Sequence, residues 1–153
     1  MARAPFQVLV FPYHLNPSGE PEYALFRRSD AGFWQAVAGG GEDRETPEEA
    51  AHRECCEEAG IGAESPLLSL QTTFSVPVTE FRDSYLWGDA LYVVSVHCFG
   101  VALGGGELVL SHEHTEYRWL TYAEASALLH FDSDRIALWE LDRRVRGVGP
   151  RSG

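Results

Sequence analysis

The chain predicts an α/β fold, a mixed β-sheet packed between helices and built as a single domain over residues 1–153. Strand-like segments outnumber helical ones along the sequence. The helical signals fall mid-chain and at the end, where they can cover a sheet rather than form a bundle. No internal repeat and no long linker divides the chain. Its 44% apolar and 12% aromatic content suits one sizeable core.

Taken in order, FQVLVFPY (6–13) is apolar and rich in strand formers, NPSGE is a turn signal, and EYALFRR (22–28) follows as a second strand. WQAVA (34–38) reads as a short buried strand running into the three glycines 39–41, expected to form a loop. Thr46-Pro47 starts a helix: a hydroxyl N-cap, then proline at the first helical position. Glu49 completes a capping box and Gly60 supplies the stop, so the helix spans about 47–59. LLSLQTTFSVPV is a strand whose end Pro77 places at an edge or bulge. ALYVVSVHCFGVAL (90–103) is a central strand, Gly104–Gly106 a hairpin turn, and ELVL (107–110) a segment that could pair back. EYRWLTY gives one more strand. Helices follow Thr121 and span about 134–145, and residues 147–153 read as a loose tail.

Charge and composition narrow the function. A net charge of −11 argues against a nucleic-acid polymer as partner. A small phosphorylated ligand stays compatible if a divalent cation stands between it and the acids. Cys55, Cys56 and Cys98 lack zinc or redox spacing, which points to a reduced, cytoplasmic protein. No apolar run approaches the roughly 18 residues of a membrane span, and the N-terminus lacks the apolar core of a signal peptide. His112 and His114 lack further ligands at zinc spacing. Cys98, in an apolar strand, reads as inert core.

The stretch 39–61, GGGEDRETPEEAAHRECCEEAGI, poses the chemical question. Spacings of three and four put Glu54, Glu57 and Glu58 on one helical face, where they repel each other. The helix contains no lysine to relieve them. A hard divalent cation with oxygen ligands would. Gly39, five residues, Glu45, seven residues, then Arg53-Glu54-Cys55-Cys56-Glu57-Glu58-Ala59-Gly60-Ile61 resembles the complete signature of the Nudix hydrolases. At average residue usage this match arises by chance on the order of 10⁻⁸ per window, which sets aside a merely solvated helix. Cys55 departs from the family's aliphatic preference, but cysteine is small and readily buried.

The resemblance implies an α/β/α sandwich and hydrolysis of a diphosphate linked to another moiety. It implies Mg²⁺ or Mn²⁺ bound by Glu54, Glu57 and Glu58, with a backbone carbonyl near Ala38 or Gly39 completing the shell. Arg53 is expected to pair with Glu45 or a box glutamate. RRSDAGFWQAVAGG and SHEHTEYRWLTYAEASALL are similar to the bacterial branch of dihydroneopterin triphosphate and dATP pyrophosphohydrolases. In that branch a glutamate before a histidine returns to the metal site. Here it maps to Glu113, as metal ligand or base, with Glu116 competing.

Arg27 and Arg28 are candidates for phosphate contact, and strand alternation lets at most one of them serve. Phe33 and Trp34 are candidates for stacking on a flat ring, Gln35 for reading its edge, and Gly39 and Gly40 for close backbone approach. The reaction expected is cleavage of a nucleoside triphosphate, deoxynucleoside triphosphate or pterin triphosphate to monophosphate and pyrophosphate. A dinucleoside polyphosphate or nucleotide-sugar hydrolase, and a module that senses nucleotides without cleaving them, stay open. The family resemblance is also compatible with a homodimer.

Overall fold

The computed structural model describes residues 3–105 and 107–151. Its centre is strand β1 (Arg3–Leu15). Val8 and Val10 face one buried layer, and Leu9 and Phe11 face the other. A strand buried on both faces belongs inside a sheet with helices on either side. β1 pairs along one edge with β2 (Pro21–Arg28), at Tyr13 to Leu15. β2 in turn carries the short β3 (Trp34–Gln35). β4 (Val37–Glu42) pairs antiparallel with the N-terminal part of β1, placing Gly39 opposite Val8 and Gly40 opposite Gln7.

Helix α1 (Pro47–Ala59) follows β4. Thr46 Oγ1 accepts from Glu49 N at 3.2 Å and Glu49 Oε1 accepts from Thr46 N at 2.9 Å. Gly60 ends the helix in the left-handed region, φ 68°, a conformation cheap only for residues without a Cβ. β5 (Leu67–Pro77) is the edge strand and leads through 3₁₀ turns over Val78–Glu80 and Arg82–Trp87 into β6 (Val93–Ala102). β6 lies between β5 and β1, parallel to β1 with Leu9 opposite Cys98. β7 (His114–Leu120) pairs with β2. The strands form one seven-stranded mixed sheet with the path β3-β2-β1-β6-β5.

α1 covers Val8, Val10, Ala24, Phe26, Phe99 and Val101. On the opposite face, α2 (Tyr122–Leu128) and α3 (Asp132–Val145) cover Leu9, Phe11, Tyr23, Leu25, Val96 and Cys98. Each large side chain fully buried here contributes about 1.5–3 kcal/mol. The expected helix–sheet–helix sandwich is therefore the fold.

Several local expectations change. WQAVA breaks at Ala36 into β3 and β4, which pair with different strands. Gly39, Gly40 and Gly41 are strand residues of β4, not a loop, because β1 supplies their pairing partner. β6 begins at Val93 rather than at residue 90. Glu107–Leu110 forms no strand; Val109 N donates to Ala59 O at 2.9 Å, and Leu108 packs beside α1. The Gly104–Gly106 turn lies partly outside the described residues, as does the end of the tail. The described part of the tail is tied to α3, where Arg143 Nε and Nη2 donate to Gly149 O at 3.0 and 2.8 Å.

Candidate active site

The helix cap and the β4 pairing together aim α1 at the sheet. Glu54 and Glu58 are buried, whereas the Glu57 side chain is 59% exposed. Glycine at 39 is a packing requirement: a Cβ there would overlap the Glu54 carboxyl group. The first glycine of the box thus gives the carboxylate its seat against β4.

Arg53 organises the acids around it. Its Nε and Nη2 fork onto Glu45 at 2.8 and 3.0 Å. Nη2 also donates to Gly40 O at 2.8 Å, and Nη1 to Glu54 at 3.0 Å and Glu57 at 3.3 Å. Glu45 Oε1 accepts a further bond from Glu42 N at 2.8 Å. Donors from Arg53 hold the Glu45 carboxyl below its ordinary range, and Glu45 holds the guanidinium charged.

Glu58 has no such arginine beside it; its basic neighbour is His114, 3.8 Å away. Both its carboxylate oxygens are buried without a hydrogen-bond partner among the described residues, and His114 Nδ1 shares that state. Burial first, then the adjoining Glu54 carboxyl group, then the charge of Glu113, push Glu58 up to about 10. Burial also raises Glu54, against the pull of Arg53, and lowers His114. Ligand atoms of Glu58, Glu113 and His114 lie within 4.8 Å of one another. A buried, unpartnered carboxylate is costly alone, and a hard cation with oxygen ligands resolves that cost. The donor set therefore fits a divalent cation.

Two adjoining cavities open beside this group. One, of about 430 Å³, is lined by Arg28, Ser29, Asp30, His112, Glu113 and His114. The other, of about 560 Å³, is lined by Phe33, Phe74, Phe81, Phe131 and Asp134. Gln7, Arg28, Gln35 and Ala38 belong to the walls of both. Arg28 is pre-oriented at the junction by Asp30, with Nε donating at 2.8 Å.

Other candidates lie elsewhere. Arg27 faces Glu116 at 3.8 Å and donates to Gly32 O at 3.2 Å, apart from both cavities. Strand alternation explains why Arg28, and not Arg27, lines the cavities. Trp34 is also apart from the cavities: it packs on the α2–α3 core beneath Arg118, whose guanidinium carbon is 4.8 Å from its ring. Its neighbour Phe33 is the one that lines a cavity, with its ring stacked on His130 at 4.8 Å. Glu116 is occupied by Arg118 and Arg27, on the side of β7 away from the Glu58 group. Gly39 and Gly40 stand in β4 under Glu54 and Arg53 rather than in a cavity wall.

Sequence reasoning missed His114 as a neighbour of Glu58, 3.8 Å from Nε2 to Oε1. Its adjacency to Glu113 was the available signal. Gln7, Phe74 and Asp134 carried no local signal, since they meet only through the sheet. Cys55 and Cys98 are buried thiols pushed up to about 12 by burial, as unreactive core cysteines are.

The model of the NUDIX domain matches residues 7–139. Dihydroneopterin triphosphate diphosphatase of Escherichia coli K12 is 35% identical over 118 residues, covering 74% of this chain and 77% of that protein. A solved structure of a NUDIX-type protein from Listeria monocytogenes superposes with a TM-score of 0.84 at 38% identity, over 94% of this chain and 96% of that one. The E. coli dihydroneopterin triphosphate pyrophosphohydrolase structure gives a TM-score of 0.76 at 27% identity, over 94% and 99%.

Proposed function

This chain belongs to the Nudix family and is a hydrolase, and on that footing we propose that it cleaves a nucleoside or pterin triphosphate to monophosphate and pyrophosphate. The observation that carries the reading is the joining of two unlike cavities at Arg28. One end offers an arginine and the Glu58 group to phosphates; the other offers phenylalanine walls to a flat ring. The similarity to a dihydroneopterin triphosphate diphosphatase supports a ring-bearing triphosphate over other diphosphates.

Glu58, with Glu54 beside it and Glu57 on the same helix, would hold Mg²⁺ or Mn²⁺. Such an ion neutralises phosphate charge, orients the chain and lowers the pKa of a bound water. Arg53 keeps the helix carboxylates in place through its bonds to Glu45 and Gly40. Arg28 donates to a phosphate oxygen at the junction. Glu113, exposed at the cavity edge, accepts the proton of the attacking water. A new P–O bond forms from that water. The bridging P–O bond breaks, and pyrophosphate leaves with the electron pair. Positioning and charge stabilisation carry most of the rate, as in phosphoryl transfer generally.

The test is product analysis with magnesium and a substrate panel: dGTP, dATP, dihydroneopterin triphosphate, diadenosine tetraphosphate and ADP-ribose. The expected result is pyrophosphate plus monophosphate from the triphosphates, faster than any cleavage of the other two. Orthophosphate as the first product, or faster turnover of diadenosine tetraphosphate or ADP-ribose, overturns the reading. No turnover of any of them, with binding retained, returns the protein to a sensing role.

A further inference from the structure

The ring cavity contains one buried charge that the hydrolysis does not use. Asp134, in the first turn of α3, lines the cavity among Phe33, Phe74 and Phe131 and is 4% exposed. The other buried aspartate among the described residues, Asp142, is fully engaged: Tyr23 Oη donates to it at 2.6 Å and Arg146 Nε at 2.9 Å. Asp134 has weaker support, a hydrogen bond from the side chain of its neighbour Ser133. Its chain neighbour Arg135 is bound to Asp132 and to the carbonyls of Ser126 and Leu129. Glu80, the other acid on this cavity's wall, is exposed to solvent. A buried carboxylate among phenylalanines is expensive, and such groups persist where a ligand uses them.

We propose that Asp134 is the specificity-determining residue for the ring, accepting two N–H donors from a 2-amino-4-oxopyrimidine edge, the edge shared by guanine and pterin. This rests on the ring-bearing substrate class of the preceding section and names the ring. An ionised carboxylate only accepts, and its two oxygens suit two parallel N–H groups. Guanine offers N1–H and the 2-amino group side by side; pterin offers N3–H and its 2-amino group. Adenine sets a ring-nitrogen lone pair beside its amino group, so one oxygen would meet an acceptor instead of a donor. Burial pushes Asp134 up to about 6, which leaves it ionised at the pH of the assay below. The cavity, about 560 Å³, lies within the range of small-molecule sites. Its shared wall with the Glu113 cavity places phosphates at one end while the ring edge reaches the other.

The experiment reads ring binding separately from cleavage. GMP, inosine monophosphate and AMP are titrated into the wild-type protein at pH 7.5 by calorimetry, then into Asp134→Asn and Asp134→Ser. Wild type should bind GMP about 10- to 100-fold more tightly than AMP, the worth of one or more charge-assisted hydrogen bonds. Inosine monophosphate, lacking the 2-amino group, should fall between them. In both variants the GMP advantage should collapse to within about threefold while AMP affinity holds, a selective change that mere loosening of the fold does not produce. Equal or tighter AMP binding by wild type overturns the proposal, whether or not the variants fold. So does a GMP preference that survives in either folded variant. If dGTP is not cleaved to pyrophosphate yet the GMP preference depends on Asp134, the reaction assigned above fails and the ring assignment stands.

Discussion

Replacing Arg53 by alanine removes the centre of the acid network, and the structure sets the size of the effect. Five bonds disappear, two of them to Glu45. Each charge-assisted bond is worth about 1.5–3 kcal/mol, but bonds from one guanidinium are not additive. The dominant cost lies in what remains. Glu45 and Glu54, with side chains 20% and 11% exposed, become unpaired charges close to Glu57 and Glu58. Breaking a fully buried pair costs about 3–5 kcal/mol. Partial exposure brings the expectation for Arg53→Ala to about 2–4 kcal/mol. That corresponds to a Tm drop of about 4–16 °C in a chain of this length. Arg53→Lys should recover only part, because an ammonium cannot fork onto Glu45 while reaching Gly40 O. The assay is urea unfolding in chelator, with Glu45→Gln and the double variant closing a cycle. A loss under about 0.5 kcal/mol with no coupling to Glu45 would refute the reasoning.

Gly39→Ala should drive its new Cβ into the Glu54 carboxyl group and lower kcat at least about tenfold, whereas Gly104→Ala, with open space around it, should leave kcat unchanged; steady-state kinetics on both decide it. Glu58→Gln should cut kcat at least about 10²-fold while Tm in chelator holds or rises, because a neutral amide replaces a buried carboxylate without partners; near-normal turnover would return Glu58 to a structural role. Activity should vanish in excess chelator and return with added magnesium or manganese, and substantial turnover without either would sink the metal reading. Trp34→Ala should cost about 3 kcal/mol of stability and weaken all substrates alike, since Trp34 packs on core; a KM rise confined to ring-bearing substrates would contradict that placement.

The sequence by itself determined what depends on near neighbours in the chain. Helix α1 begins and ends where Thr46, Pro47, Glu49 and Gly60 put its limits, because caps act within one turn. The shared face of Glu54, Glu57 and Glu58 follows from the helical repeat alone. The strands showed themselves by apolar pattern, and β1's burial on both faces was implicit in the unbroken run VLVF (8–11). Only the tertiary structure decided the rest, because strand pairing joins residues far apart in sequence. β1 drew Gly39–Gly41 into a strand that local propensity, poor in glycine, assigns to a loop. The register of β2 sent Arg28 to the cavity and Arg27 to Glu116, a choice that adjacent arginines do not reveal. The bulge between Arg27 and Arg28 in the β2–β7 pairing accompanies a Glu113 and His114 set beside Glu58, with Glu116 left among surface arginines. Asp134 reaches the ring cavity from the last helix because α3 closes over the same sheet face that Phe33 and Phe74 border, a meeting of three distant segments that no local spacing encodes.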